Sequence, residues 1–166
     1  MNIQIRKLTR SDWKIFKEIR LQMLKEEPQA FARTYEEMVN ISDDEWMEKT
    51  ENDKAGIFAV WVNGKLAGAN GYFYPENSIV EIWGMFIRKE FRGIGLGKKL
   101  MQEIENEIRK DKNVKLIRIE VTTTQIPAWE LYKKLGFLEV GRKIGATKFN
   151  SELYDDIILE KIIPQP

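Results

Sequence analysis

A glycine-rich segment with three basic residues, Phe91 to Lys99, is the stretch whose residue types and spacing best suit ligand chemistry. It joins an apolar run that ends at Ile87 to an amphipathic run, Leu96 to Arg109. Glycines leave the backbone bare, so a ligand can approach it closely. The N–H groups that open a helix bind anions, and the helix dipole adds to the attraction. With Arg92, Lys98 and Lys99 supplying charge, the segment predicts a phosphate site suited to a pyrophosphate.

The spacing of this segment excludes two common phosphate loops. A P-loop needs Gly-x-x-x-x-Gly-Lys-Ser/Thr, but Arg92 stands five positions before Gly97, and Lys98 is followed by Lys99. A dinucleotide-binding loop needs Gly-x-Gly-x-x-Gly, and its third glycine would be replaced by a lysine or a leucine. The pattern present is Arg-x-x-Gly-x-Gly, from Arg92 through Gly95 to Gly97. A glycine turn that serves only packing is the competing interpretation.

The absence of cysteine and histidine from the 166 residues limits the chemistry. It excludes a Ser-His-Asp triad, a cysteine nucleophile and zinc held by His or Cys. No metal is expected. A general base must be a carboxylate, a lysine, a tyrosine, the N-terminal amine or water. An acyl transfer would be direct, or would use one of the rarer nucleophiles.

Composition and charge narrow the class of protein. The 27 basic and 26 acidic side chains leave a net charge of +1, which gives no footprint for nucleic-acid binding. No apolar run approaches the ~20 residues of a membrane span. The N-terminus lacks the apolar core of a signal peptide. We expect a cytoplasmic protein with no membrane or nucleic-acid partner, and the length predicts a single domain over residues 1–166.

Hydrophobic periodicity predicts a mixed α/β fold in the order β-α-α-β-β-β-α-β-α-β-β. The apolar face of the first helix includes the stem of Arg20. Asn63-Gly64 predicts a hairpin. The predicted strands are Ile3 to Ile5, Ile57 to Val62, Leu66 to Tyr74, Ile79 to Ile87, Val114 to Val121, Leu138 to Phe149 and Leu153 to Ile162. The predicted helices are Asp12 to Glu26, Asp43 to Glu51, Leu96 to Arg109 and Ala128 to Leu135, with a further short one from Pro28 through Phe31 to Tyr35 that the order above does not count.

In this order of elements, the Arg-x-x-Gly-x-Gly pattern resembles the acyl-CoA motif of the GCN5-related N-acetyltransferase (GNAT) family. The resemblance covers essentially the whole chain. Ala128 to Phe137 is similar to the family's A-x-x-L-Y-x-x-x-G-F motif, and Tyr154-Asp155-Asp156 precedes an apolar run as in the family's last strand. Gln125 departs from the pattern, because the family commonly has Asn there. Its longer amide keeps a donor and an acceptor.

The resemblance implies a GNAT fold in which the fourth and fifth predicted strands splay apart beyond a bulge near Trp83-Gly84-Met85. An amide-bearing pantetheine arm of acetyl-CoA would pair with the exposed strand edge. A backbone N–H of Met85 or Phe86 would then face the thioester carbonyl and stabilise the oxyanion. The residues that the resemblance assigns to acetyl-CoA, as acyl-donor cosubstrate, are Met85, Phe86, Ile87, Arg92, Gly93, Ile94, Gly95, Leu96, Gly97, Lys98 and Gln125.

The same resemblance implies that Tyr132 protonates the departing thiolate, since a phenol is protonated at neutral pH. The alternative is a packed tyrosine whose hydroxyl is only hydrogen-bonded. Glu81 and Glu120 are the candidate bases for the attacking amine, directly or through water. Either could instead be paired with Arg118 or a lysine.

The acceptor site is the least readable part of the sequence. Phe31, Tyr35 and Trp83 are predicted walls, whereas Trp46 is better suited to the core. Arg142, Lys143 and Lys148 could bind an acidic acceptor, although such residues more often form a solvated face. The predicted activity is acetyl transfer to a primary amine: a small metabolite, a polyamine, an antibiotic amine or a protein N-terminus. A non-catalytic acyl-CoA-binding module is the alternative, and a homodimer through the last strands is possible by analogy.

Overall fold

The computed structural model describes residues 1–164, in which one mixed sheet lies between two helical layers. Residues 165 and 166 of the predicted domain lie outside this description. The strands are β1 (Ile3–Lys7), β2 (Glu51–Asn52), β3 (Ala55–Val62), β4 (Lys65–Glu76), β5 (Ile79–Ile87), β6 (Leu116–Thr122), β7 (Leu138–Phe149) and β8 (Glu152–Ile162). The helices are α1 (Trp13–Glu26), α2 (Tyr35–Val39), α3 (Asp43–Thr50), α4 (Leu96–Ile108) and α5 (Ile126–Lys134). The predicted mixed α/β class is confirmed.

The sheet is antiparallel except at its centre. Its strand order is β1-β3-β4-β5-β6-β8-β7, and β2 pairs with β3. β5 and β6 are parallel and pair only from Ile79 and Leu116 to Ile82 and Ile119. Beyond this point the two strands are no longer paired, so the predicted splay is confirmed.

A β-bulge in β5 lies directly after the last of these pairs. Gly71 pairs with Trp83 and Ala69 pairs with Phe86, so Asn70 faces both Gly84 and Met85. Gly84 has φ +70°, a left-handed conformation that glycine adopts without strain. Because a bulge bends the strand that carries the extra residue, β5 turns away from β6 here.

Alternate residues of the strands contact different helical layers, as the two-residue period of a strand requires. On one face, Phe16 and Trp46 from α1 and α3 pack with Ile57 of β3. On the other face, Leu100 and Ile104 of α4 pack with Val60 of the same strand and with its neighbours. The predicted core position of Trp46 is confirmed, since this side chain is fully buried.

The predicted helix from Pro28 through Phe31 to Tyr35 is wrong. Pro28–Ala30 forms a 3-10 turn, and Phe31 is extended. α2 begins only at Tyr35, because Thr34 and Glu37 form a capping box in which the Thr34 hydroxyl accepts from the Glu37 N–H at 3.2 Å. The extended segment between the turn and α2 leaves Phe31 and its neighbours to line a cleft.

β7 lies at one end of the sheet, where Leu138 and Val140 are exposed. The homodimer through the last strands stays a prediction. Within residues 1–164, no helix is both long enough and apolar enough to cross a membrane.

Candidate active site

A cleft of about 720 Å³ opens where β5 and β6 diverge. Its lining includes Arg20 and Phe31 from the side of α1, and Tyr132 from α5 on the opposite face. The gap between the strands therefore connects the two faces of the sheet. A larger depression, about 930 Å³, surrounds Ser78 and Lys115 at the amino ends of the same strands. The glycine loop follows the carboxyl end of β5 and lies near the smaller cleft, since a Cβ at Gly97 would be 3.8 Å from Sδ of Met85, a lining residue.

The glycine loop carries a row of unused backbone donors. Gly93 and Gly95 have φ of +80° and +81°, and a Cβ at either position would meet nothing within 4 Å. Their backbone conformation, and not close packing, is what requires glycine. Within the described chain, the N–H groups of residues 93–98 donate to no protein acceptor, and the Lys99 N–H is the first to bond, to the Gly95 carbonyl at 3.2 Å. Such a row at a helix N-terminus suits an anion.

Gly97 is required for a different reason. A Cβ there would lie 3.1 Å from Cδ2 of Leu131, so this glycine lets α4 pack closely against α5. Leu96 is buried in the core, while Ile94 and Lys98 are exposed. Leu96 and Ile94 can therefore offer a ligand their backbone N–H groups, and Lys98 can add its ammonium.

Arg92 fastens the loop to its surroundings. Its Nε donates to the Ile87 carbonyl at 2.7 Å, and its Nη2 lies 2.5 Å from Oε1 of Glu27. The guanidinium thus ties the loop to the end of β5 and to the residue after α1. A contact between Arg92 and a phosphate stays a prediction.

The strand segment assigned to the pantetheine arm lies beside the gap. Met85 lines the cleft, and Phe86 is buried against the α1 side. Because pairing with β6 stops at Ile82, the β6-facing edge of residues 83–87 has no strand partner among residues 1–164. Gln125 also lines the cleft, at the N-cap of α5, with its Nε2 3.4 Å from the Thr124 hydroxyl.

Tyr132 presents a hydroxyl that makes no hydrogen bond to the described residues. The side chain is 4% exposed, lines the cleft and packs edge-on against Phe137, with ring centroids 6.1 Å apart. Burial raises the pKa of Tyr132, because the phenolate would be poorly solvated. The group is therefore a proton donor at neutral pH. Both the acid role and the alternative of a packed tyrosine whose hydroxyl is only hydrogen-bonded stay predictions.

The two candidate bases lie close together. Glu120 lines the cleft and accepts a hydrogen bond from Nζ of Lys143 at 2.6 Å. Glu81 stands behind the lining, half-buried, and burial followed by the charge of Glu120 raises its pKa. Arg118 binds Glu160 at 2.7 Å, and in the described part of the chain neither Glu81 nor Glu120 has a direct arginine partner. Of the two carboxylates, Glu81 has the raised pKa and Glu120 contacts the cleft, and the role of either as the base stays a prediction.

Of the three residues predicted to line the acceptor site, two line the cleft and one does not. Phe31 and Trp83 line the cleft. Tyr35 is not among the lining residues, and its ring is covered by Nζ of Lys25, 4.4 Å from the ring centroid. Two of the cations considered for an acidic acceptor are engaged elsewhere, Lys143 with Glu120 and Arg142 with Asp155 at 3.6 Å.

The sequence analysis did not identify Arg20 as a site residue. Arg20 is 5% exposed and lines the cleft between the rings of Phe31 and Trp83, at 5.1 and 5.0 Å from their centroids. The available signal was an arginine on the apolar face of the first helix, which the periodicity explained by its aliphatic stem alone.

A sheet that splits beside a glycine loop opening a helix is the arrangement that the resemblance to the GNAT family implied, and comparisons with known proteins agree with it. The model of the "Acetyltransferase (GNAT) family" matches residues 14–137, and the chain therefore belongs to the GNAT family. A Bacillus subtilis protein described as a putative [ribosomal protein bS18]-alanine N-acetyltransferase is 32% identical over 94 residues. That match covers 57% of this chain and 61% of the relative, less than two thirds of its length.

Solved structures share the fold across nearly the whole chain. A GNAT-family acetyltransferase from Streptococcus pneumoniae has a TM-score of 0.85 at 18% identity and covers 98% of this chain and 100% of its own. The Salmonella typhimurium protein yncA, a putative acetyltransferase solved with acetyl-CoA, has a TM-score of 0.83 at 16% identity. This match covers 100% of this chain and 96% of yncA. These identities support the fold alone.

Proposed function

We propose that this protein is an acetyl-CoA-dependent N-acetyltransferase that moves the acetyl group directly to a primary amine. The observation that carries the proposal is the cleft through the split sheet. It joins the Tyr132 side of the sheet to the Glu120 side, next to the free N–H groups of residues 93–98. Family membership and the acetyl-CoA bound to a structural neighbour support the choice of cosubstrate.

The residues present fit an acyl-CoA. The bare, donor-rich backbone at Gly93 and Gly95 suits a pyrophosphate, and the unpaired edge of residues 83–87 suits the amides of a pantetheine arm. Bound acetyl-CoA supplies the thioester whose acetyl group is transferred. Gln125, at the N-cap of α5, lines the same cleft, which supports the proposal that its amide contacts the arm.

The chain's own groups then divide the proton transfers. Glu81, through water or through Glu120, accepts the proton that the amine must lose before and during attack on the carbonyl carbon. A backbone N–H at the bulge, from Met85 or Phe86, stabilises the oxyanion. Tyr132 donates its hydroxyl proton to the sulfur as the C–S bond breaks. The products are an amide and a free thiol, with no covalent intermediate on the protein.

Thiol release from acetyl-CoA across a panel of amines tests the proposal, and the absence of cysteine removes any background from the protein. The panel contains amino acids, polyamines, aminoglycosides and short peptides with free N-termini. The last group is included because the Bacillus subtilis relative is described as acting on a ribosomal-protein alanine. Release that depends on one amine class supports an enzyme. Tight acetyl-CoA binding with no release from any amine would favour a non-catalytic acyl-CoA-binding module.

A further inference from the structure

The charges that line the cleft are separated between its two walls. Arg20 on α1, Arg33 after the 3-10 turn and Lys49 on α3 all belong to the helical wall. Among the described residues none of the three forms an ion pair. The acidic lining residues, Glu120 and Asp156, belong to the sheet. An acceptor that fills this cleft meets unpaired cations on one side and carboxylates on the other.

Arg20 is the most informative of these cations because it is both buried and short of acceptors. A guanidinium has five N–H donors. Within residues 1–164, Nη1 donates to the Sδ of Met23 at 3.0 Å, a weak acceptor, and Nε has no partner. Burial, and then the charge of Arg33, lowers the pKa of Arg20 to about 10, so it stays charged at neutral pH. The flanking rings offset only part of the cost of burying this charge.

Other partly buried cations of the chain do have strong hydrogen-bond acceptors. Arg88 donates to Glu18, to Gln22 and to the Leu66 carbonyl, at 2.6 to 2.7 Å. Lys161 donates to both carboxylate oxygens of Glu105 at 2.9 Å. A cation kept for packing alone would be expected to have such a partner. Among residues 1–164 Arg20 has no such partner, and it lines the cleft in which the acceptor is proposed to bind.

We propose that the acceptor is an amine that also carries a carboxylate, and that Arg20 binds this carboxylate at the helical wall of the cleft. This inference rests on the proposed function. Arg33, at the entrance, adds attraction for the same group, while the amine is directed towards Glu120 and Glu81. Gly84 leaves space for the contact, because a Cβ there would lie 3.5 Å from Nη1 of Arg20. Polyamines and aminoglycosides carry no anion and fit this arrangement poorly.

Matched acid and amide acceptors test the proposal directly. Free amino acids are compared with their C-terminal amides, and peptides beginning Ala-Asp are compared with those beginning Ala-Asn, by thiol release from acetyl-CoA. We expect the wild type to prefer the acid member of the effective pair by about 10- to 100-fold in kcat/KM, the value of a charged hydrogen-bonded pair. A preference for free amino acids over their amides would show that the recognised group is an α-carboxylate. A preference for Ala-Asp over Ala-Asn peptides would show that it is a side-chain carboxylate.

The variant Arg20→Met keeps an aliphatic stem between the two rings and removes the charge. It should abolish the preference by raising KM for the acid far more than KM for the amide, and unfold at the same temperature or higher because a buried unpaired charge is gone. Lys14→Met, on the same helix but outside the cleft lining, is the matched control and should keep the preference.

The outcomes separate this inference from the proposed function. Equal turnover of acids and amides by the wild type, or a preference that survives in Arg20→Met, overturns the inference and leaves the acetyltransferase standing. Calorimetric binding of N-acetyl amino acids, compared with their amides, does not need turnover. Carboxylate-dependent binding that is lost in Arg20→Met, with no thiol release from any amine, would keep the anion site and overturn the proposed function. Absence of both release and binding would overturn both.

Discussion

The glycine loop and the acceptor wall of the cleft differ in how they are built. The loop is one continuous segment, residues 92–98, and its donors are backbone N–H groups whose direction follows from local conformation. The acceptor wall brings together side chains from α1, from the segment after the 3-10 turn and from α3. A site made of local backbone tolerates changes elsewhere, whereas a site made of distant side chains depends on how several elements pack. Each prediction below tests one side of this difference.

The largest effect is expected at the loop. Gly95→Asp places a carboxylate among the donors proposed for the pyrophosphate. Like charges brought together at a binding site cost several kcal/mol, so acetyl-CoA affinity should fall by roughly 100-fold or more. Calorimetric titration with acetyl-CoA measures it.

Gly64→Asp is the matched control for that change. Gly64 has φ +79° and open space around it, like Gly95, but lies in the β3–β4 hairpin. Both variants should lose about 1 kcal/mol of stability from the left-handed backbone. Only Gly95→Asp should lose affinity, and equal affinities in the two variants would exclude the loop as the phosphate site.

Removal of the Tyr132 hydroxyl should lower kcat by roughly 100-fold, the lower end of the contribution of a general acid. The hydroxyl has no protein hydrogen bond in the described chain, so Tyr132→Phe should unfold at the wild-type temperature and bind acetyl-CoA normally. Steady-state kinetics with saturating acetyl-CoA measure the effect. Tyr154→Phe, which removes an exposed hydroxyl bonded to Glu152 at 2.8 Å, is the control and should retain full turnover. Full turnover in Tyr132→Phe would contradict the acid role.

The pH profile tests the base. Because burial and Glu120 raise the pKa of Glu81, its base form is populated only above a raised pKa, and kcat/KM should rise with pH through that value. Glu81→Gln should remove this limb. Glu120→Gln should move it to lower pH, because the charge that raises the pKa is gone. A limb that is unchanged in both variants would assign the base to another group.

The raised pKa of Glu81 also determines how this side chain changes the stability of the fold with pH. A raised pKa in the folded state favours folding below the unfolded pKa of about 4.3, and this contribution is lost as pH rises through the folded value. The stability of Glu81→Gln minus that of the wild type should therefore be more favourable at pH 7 than at pH 4. Thermal unfolding at the two pH values checks the sign, and the opposite sign would contradict the raised pKa.

The smallest effect concerns the bulge. Gly84 and Gly136 both have positive φ, +70° and +90°, and a Cβ at either would make only ordinary contacts, the nearest at 3.5 and 3.8 Å. Alanine at either position should cost about 1–2 kcal/mol of stability. Gly84→Ala should in addition raise KM for the acceptor, because it narrows the space beside Arg20. Parallel losses of activity in the two variants would show that the bulge acts only through stability.

Much of the fold was accessible from the sequence because its signals are local. The apolar run of β3, the Asn63-Gly64 turn and the amphipathic period of α4 each depend on neighbours a few residues away. The segment after Pro28 was predicted wrongly, because the Thr34 capping box stops any helix from continuing through it. Because this segment is a 3-10 turn followed by extended chain, Phe31 lines the acceptor wall of the cleft.

In the candidate site, too, features with local signals were predictable from the sequence, and contacts between distant residues were not. The glycine loop, Tyr132 and the bulge at Gly84 were predicted from motifs and spacing, and the structure places all three at the split sheet or beside it. Arg92 has a contact with Glu27 that no local pattern indicates, since the two residues are 65 positions apart. Arg20 was missed for the same reason, because its environment consists of Phe31 and Trp83 from other elements.

By itself the sequence determined the class of chemistry. The absence of histidine and cysteine excluded several mechanisms, and the resemblance of the Arg-x-x-Gly-x-Gly loop to the GNAT motif implied an acyl transfer with a tyrosine and carboxylates as the candidate groups. Only the tertiary structure decided which charges stay unpaired in the cleft. Pairing depends on which side chains meet after folding: Lys143 finds Glu120 and Arg142 finds Asp155, whereas Arg20 is enclosed by rings and finds no carboxylate among residues 1–164.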